Sequence, residues 1–228
     1  MSHCFDKVLD CLSPPRCVVC SRLEDSRLCG ECESLFEKIP KEGCIKCGLG
    51  RPLTCDHCQW MVSLSYCDSV YDYRSAGGVL VKQLKYHRVF ECVPFMREAL
   101  KEILQYAPYY DYLVPIPIHW SRWSERGFNQ SELIAKTLDD NKLRTDVLIR
   151  VRATPPQARK SGKARRENMN NAFSAKNVTG KNILLVDDVV TSGATLESAA
   201  DCLINAGANW VGALTYAREI DKTFDLRK

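Results

Sequence analysis

Residues 183–195, ILLVDDVVTSGAT, join an apolar run to two adjacent acids and then to a stretch of small and hydroxyl-bearing residues. An apolar run of this kind forms a buried strand and places Asp187 and Asp188 at its carboxyl end, where open α/β sheets bind their ligands. Carboxylates there accept hydrogen bonds from sugar hydroxyls. Small residues let backbone N–H groups approach a phosphate, and a helix beginning near Gly193 adds the positive end of its dipole. Thr191, Ser192 and Thr195 supply hydroxyl donors. An ordinary capped helix after a buried strand would account for a Thr or Ser at its start but not for the acid pair. The segment is therefore expected to hold a phosphorylated sugar.

A second polar segment, VPIPIHWSRWSERGFNQ (residues 114–130), leaves an apolar strand and contains His119, Arg122 and Arg126. It passes through Gly127 into a helix with Asn129 and Gln130 near its start. Guanidinium groups and backbone amides at such a place can hold phosphate oxygens; a solvated basic face is the plainer alternative. For Trp120 and Trp123 half-buried packing is expected, with stacking on nucleobases as the alternative. A third segment, residues 150–166, carries seven basic residues (Arg150, Arg152, Arg159, Lys160, Lys163, Arg165 and Arg166) and no acid. Pro155-Pro156, Ser161 and Gly162 argue against one regular helix there. A cationic loop can close over an anionic ligand, can track single-stranded DNA, or can be merely solvated.

The cysteines form a separate chemistry. Ten of the thirteen lie in the first 58 residues, eight of them as Cys-x-x-Cys pairs: Cys17/Cys20, Cys29/Cys32, Cys44/Cys47 and Cys55/Cys58. A two-residue spacer lets both sulfurs of a pair reach one tetrahedral ion, and two pairs complete a four-thiolate zinc shell, so two structural zinc sites are expected. The short spacers favour sequential pairing, first with second and third with fourth, over crossed pairing. The glycines after Cys29 and Cys47 suit tight knuckle turns. Cys4, Cys11, Cys67, Cys92 and Cys202 read as ordinary thiols, and His57 as a surface residue.

These groups need elements to position them. Cysteine density falls near residue 62, which predicts a Cys-rich module over 1–62 and an α/β domain over 63–228. In the latter the pattern predicts strands over 66–73, 112–118, 147–151, 183–186 and 210–216. It predicts helices over 77–87, 93–106, 128–138 and 193–206, in the alternation of a mostly parallel sheet covered by helices on both faces. Hydrophobic content of 45% and charged content of 26% are those of a globular chain. A net charge of +4 is compatible with anionic ligands without requiring nucleic acid. No apolar run is long enough to span a membrane, and MSHCFDKVLDCLSPPRC lacks the features of a secretory signal, so a cytoplasmic location with reduced thiols is expected.

ILLVDDVVTSGAT resembles the fingerprint by which type I phosphoribosyltransferases bind phosphoribosyl pyrophosphate (PRPP). Cys-x-x-Cys pairs, QLKYH, PIPIHWSRWSERGFNQSELIA, RRENMNNAF and VDDVVTSGAT follow in order, and this order resembles the ComF/GntX family over nearly the whole chain. The resemblance implies PRPP with Mg²⁺ as ligand. Asp187 and Asp188 would act at the ribose and be the catalytic residues of any reaction. Val189, Thr191, Ser192, Gly193, Ala194 and Thr195 would hold the 5′-phosphate. Lys85, His119, Arg122, Arg126, Arg159, Lys163, Arg165 and Arg166 would contact pyrophosphate or nucleic acid. It further implies a part in DNA uptake during natural transformation, with single-stranded DNA and other competence proteins as partners. The alternatives are a salvage phosphoribosyltransferase, with Tyr216 and Phe224 walling an acceptor pocket, and a zinc-ribbon nucleic-acid scaffold without catalysis. No general base stands out.

Overall fold

Both faces of the segment around Ile183 are apolar, and a strand that is apolar on both faces must be covered twice. The computed structural model describes residues 14–40, 44, 46, 58, 61–153 and 172–220, and there the covering is complete. Strands β1 (Tyr66–Asp72), β2 (Tyr112–Pro115), β5 (Asn182–Val190) and β6 (Trp210–Arg218) form one parallel sheet in the order β1-β6-β5-β2. Leu184 and Val186 of β5 and Leu214 of β6 face helices α2 (Ala76–Lys82), α3 (Cys92–Leu104) and α5 (Gln130–Ala135). Ile183, Leu185 and Ala213 face the opposite way, against α6 (Ala194–Asn205). The four residues from Ile183 to Val186 have no solvent exposure.

The connection after β5 leaves toward one face through α6, and the connection after β2 leaves toward the other through α5. A crevice opens between the carboxyl ends of strands whose connections diverge in this way. Both edge strands are covered. Lys38 bridges Tyr71 of β1 in antiparallel fashion, and Leu143 bridges Leu113 of β2. Such coverage removes exposed ladder groups that would otherwise recruit another chain.

The structure departs from the sequence expectations at several places: the strand expected over 112–118 ends at Pro115, and the helix expected over 128–138 spans only Gln130–Ala135. The segment over 147–151 forms β3 (Leu148–Arg150), but outside the main sheet: it pairs antiparallel with β4 (Phe173–Ala175). It buries Leu148 while leaving Ile149 exposed, so it offers one apolar face, not the two a central strand needs. A short helix not anticipated from sequence, α4 (Trp120–Arg126), stands between β2 and α5. The helix expected over 77–87 is α-helical only to Lys82 and continues as a π turn over Gln83–His87. The strand expected over 183–186 runs on to Val190.

The Cys-rich segment and the sheet are tied together by hydrogen bonds. Glu197 in the first turn of α6 accepts from the amides of Val62 (2.7 Å), Ser63 (2.8 Å) and Leu64 (2.9 Å). Ile39 N–H donates to Val70 C=O and Ala76 N–H to Leu35 C=O. The first of these contacts pins the lead-in to β1 against the helix that follows β5.

Gly78 in α2 marks the tightest approach of helix to strand end: a Cβ there would lie 1.7 Å from the carbonyl oxygen of Tyr73. Helix propensity alone would make Gly78→Ala stabilising by about 1 kcal/mol. The backbone clash reverses that sign. Gly78→Ala should lower the thermal midpoint by several degrees, measured by scanning calorimetry.

Candidate functional site

The site begins where β5 stops being apolar. Asp187 and Asp188 still lie within the ladder, Asp187 opposite Thr215 of β6, so their side chains project to opposite faces of the strand. Asp188 is buried, and its two carboxylate oxygens each lie 2.9 Å from Nζ of Lys85 in the π turn. Asp187 accepts from Ser131 Oγ at 2.6 Å and from the amide of Asp188 at 2.9 Å. Burial, and next the charge of Asp188, push the Asp187 carboxyl up to about 7, while Ser131 and Lys85 pull the other way. Burial lowers the Lys85 ammonium, but the Asp188 carboxylate, by charge and hydrogen bond, more than offsets it, and the net shift is upward. The acid pair is thus electrostatically divided: one member is neutralised by a lysine and the other titrates near neutrality.

Thr191, Ser192 and Gly193 form the turn after Val190. Thr191 is exposed, Ser192 half-buried, and Gly193 takes the left-handed conformation (φ 78°) before α6. No side chain caps α6. Its 12 residues direct a helix dipole, with the amides of Ala194 and Thr195 in its first turn, toward the crevice. Glu197, the acid of that first turn, is turned away onto residues 62–64. Val189 and Thr195 are half-buried beside the turn.

Across the crevice the RGFNQ segment has a structural explanation. Gly127, at φ 83°, closes α4, and its amide donates to Trp123 C=O at 2.7 Å. Asn129 caps α5 by accepting from the Ser131 amide at 3.1 Å, and its Nδ2 donates to Ile116 C=O beyond the end of β2. This double anchor sets Ser131 against Asp187. Ser131 was not singled out from sequence; its place just inside an Asn-capped helix was the available signal.

The other predicted contacts are distributed unevenly. His119 is buried and caps α4, its Nδ1 accepting from the Ser121 amide at 3.3 Å. The Arg126 guanidinium lies 6.0 Å from the Tyr86 ring centroid. Arg150, noted in sequence only as part of the basic loop, stacks over Phe173 at 5.4 Å. Burial, and then the charge of Arg122, lower its pKa, while Asp187 acts in the opposite direction. Arg122 and Arg150 therefore share the electrostatic surroundings of Asp187. Arg159, Lys163, Arg165 and Arg166 lie outside the described residues, as does Phe224.

Two expectations are corrected here. Trp120 and Trp123 are 71% and 57% exposed, not half-buried, because α4 is a two-turn helix with no buried residue. Tyr216 cannot wall an open pocket: it is 1% exposed and packs edge-on against Tyr71 inside the helix-covered face of the sheet.

Sulfur atoms of Cys17, Cys20, Cys29 and Cys32 lie within 4.8 Å of one another, three of these residues buried and Cys20 exposed. Tetrahedral zinc with bonds of about 2.3 Å requires sulfurs about 3.8 Å apart, and Cys20 and Cys29 stand at 3.9 Å. The set fits zinc and joins the first two pairs, as sequential pairing requires. Burial raises the Cys17 thiol, but hydrogen bonds from the amides of Cys20, Cys29 and Val19 outweigh it and bring it down to about 6, while the neighbouring thiols of Cys29 and Cys32 are shifted up. The tight turn falls elsewhere than expected: Gly30 begins helix α1 (Gly30–Glu33), and Ser21 takes the positive φ of 62°. Cys44 and Cys58 of the later pairs are 3.6 Å apart, buried in the core that includes α6. Cys4, Cys11, Cys47, Cys55 and His57 lie outside the described residues.

Residues 126–228 match the phosphoribosyl transferase domain. The chain is 37% identical over 187 residues to the DNA utilization protein YhgH of Salmonella typhi, spanning 72% of this chain and 79% of that protein. It is 31% identical over 196 residues to the competence protein ComFC of Bacillus subtilis, spanning 80% of each. The ComFC protein of Streptococcus pneumoniae is 31% identical over 212 residues, spanning 86% of this chain and 90% of its own. The chain belongs to the ComFC/YhgH family. Family membership agrees with the parallel sheet, the acid pair at its carboxyl edge and the Cys-rich lead-in. Among the described residues no helix is long and apolar enough to cross a membrane.

The raised Asp187 pKa gives a test with a defined sign. Its folded-state value lies above the ordinary carboxylate value of 3.8, so ionisation costs stability as pH rises from about 4 through about 7. Asp187→Asn keeps the acceptor for Ser131 and removes the charge. Its thermal midpoint should exceed that of the unmodified protein at pH 8, by about 2 °C or more, and the gap should shrink toward pH 4. Equal midpoints at pH 8 would show Asp187 to titrate as an ordinary carboxyl.

Proposed function

We propose that this protein binds PRPP with Mg²⁺ at the carboxyl ends of β5 and β2, and that it serves DNA uptake in natural transformation, in the cytoplasm. The observation that carries this reading is the uncapped start of α6 directly after a divided acid pair. Amides and a helix dipole suit the 5′-phosphate, and carboxylates suit ribose hydroxyls. Arg122 and Arg126, beyond β2, suit the pyrophosphate and its metal ion. Zinc at Cys17, Cys20, Cys29 and Cys32, and at a second site formed by Cys44, Cys47, Cys55 and Cys58, would be structural, since four thiolates leave no open position. Any reaction would displace pyrophosphate at the anomeric carbon. The buried position of Tyr216 removes the wall on which a salvage-type acceptor pocket was expected to rest, so ligand binding is favoured over salvage chemistry. Calorimetry with Mg²⁺ and PRPP should register binding, and Asp187→Ala/Asp188→Ala should weaken it about tenfold or more. No heat from the unmodified protein would overturn the reading.

Single-stranded DNA is the proposed partner at a second surface. Trp120, Trp123 and Tyr86 are all more than half exposed. Arg126 lies near Tyr86, and Arg88 donates to Glu125 C=O at 3.0 Å, so the π turn and α4 present these rings together with cations. Interleaved rings and cations suit unstacked bases and their phosphates. Stacking on each ring contributes about 1–3 kcal/mol, so Trp120→Ala/Trp123→Ala should weaken oligo-dT binding about tenfold or more in fluorescence anisotropy. Asp187→Ala/Asp188→Ala should leave it unchanged. A Trp120→Ala/Trp123→Ala variant with full DNA affinity would transfer DNA contact to the basic loop over 150–166.

A further inference from the structure

Lys85 stands in an unusual relation to the acid pair. The α-helix that precedes it gives way to a π turn at Gln83, which Arg88 terminates in the left-handed conformation at φ 57°. π turns are found frequently at functional sites, and this one, as the last turn of the helix, sets the direction in which its side chains leave. Among them is Lys85. Its ammonium reaches both oxygens of Asp188 at 2.9 Å, with side chains only 19% and 6% exposed. A buried pair of this kind contributes little net stability when desolvation is set against attraction, yet removing one partner leaves a strongly uncompensated charge. Its presence needs a reason other than stability.

A cation astride both oxygens of a carboxylate, beside a second carboxyl and an open helix start, occupies the place a divalent ion would take between acid and anionic ligand. We propose that Lys85 is the built-in cation of this site. It neutralises Asp188 permanently and denies that carboxylate to Mg²⁺, so that a divalent ion enters only with the phosphorylated ligand that carries it. The raised carboxyl of Asp187 agrees with this division of labour: Lys85 makes its ion pair with Asp188 and offsets the burial of the second acid only in part. The role rests on the site being one for an anionic ligand, but its test uses metal alone and so fails or succeeds independently of PRPP.

The test is Mn²⁺ binding to the full-length, zinc-loaded protein at pH 8 without any phosphate compound, followed by the electron paramagnetic resonance signal of free Mn²⁺. Four proteins are compared: unmodified, Lys85→Met, Lys85→Arg and Lys85→Met/Asp188→Asn. Lys85→Met should gain an Mn²⁺ site at least about tenfold tighter than anything in the unmodified protein, since a buried carboxylate without its cation strongly favours another. Lys85→Arg should gain none, and the double variant should lose what Lys85→Met gained. Absence of a gain in folded Lys85→Met, with near-ultraviolet circular dichroism as the check on folding, would overturn the proposal. A second arm needs no Lys85 variant: Asp188→Asn in the otherwise unmodified protein should leave Mn²⁺ binding unchanged. Loss of an ion in that variant would show that Mg²⁺-type metals reach Asp188 past the lysine.

Discussion

Two carboxyl groups on consecutive residues at the end of a buried strand constrain everything around them. They cannot both remain charged, dry and unpartnered. Because strand residues alternate in direction, each acid meets a different environment, and the chain supplies a different answer on each side. Lys85 reaches Asp188 from the π turn that continues α2, and Ser131 reaches Asp187 from the Asn-capped start of α5 beyond β2. The π turn at the end of α2 places Lys85, and the double anchor of Asn129 places Ser131.

The same constraint explains why β5 must be so thoroughly buried. Burial and the neighbouring charge of Asp188 raise the Asp187 carboxyl, and the strand that carries the pair is buried because α6 and the β3–β4 hairpin cover one face of the sheet while α2, α3 and α5 cover the other. The Cys-rich segment takes part in this cover. Cys44 and Cys58 lie in the core beside α6, and Glu197 at the start of α6 holds the backbone of residues 62–64. Helix α6, which opens at the carboxyl edge of the sheet, is therefore braced from behind by the segment that carries the thiols. Folding of the thiol-bearing segment and positioning of the turn before α6 are physically linked.

Much of this was legible in the sequence because it depends on short-range order. The buried strand, the acids at its end, the small-residue turn and the following helix are contiguous in residues 183–206, and hydrophobic periodicity and glycine placement report local conformation directly. The four Cys-x-x-Cys spacings are likewise local, and the first two pairs come together as their spacing suggested. What the pattern did not carry were the partners that arrive from elsewhere. Ser131 lies 56 residues from Asp187, and Lys85 lies 103 residues from Asp188. A serine and a lysine on helices carry no mark of the acid each will meet. Trp120 and Trp123 misled for the related reason that a hydrophobic side chain declares a preference for burial, and only the packing of α4 decides whether any surface is available to bury it.

Sequence by itself thus determined the class of fold, the family and the residues at the carboxyl end of β5, since these follow from periodicity, turn chemistry and spacing along one chain. Tertiary structure alone decided which acid is paired and which titrates near neutrality. It also decided that His119 is a helix cap, that Tyr216 is core, and that the strand over 148–150 belongs to a hairpin. The physical reason is common to all of these. Charge state, exposure and strand partnership are properties of surroundings, and surroundings exist only when distant segments have been brought together.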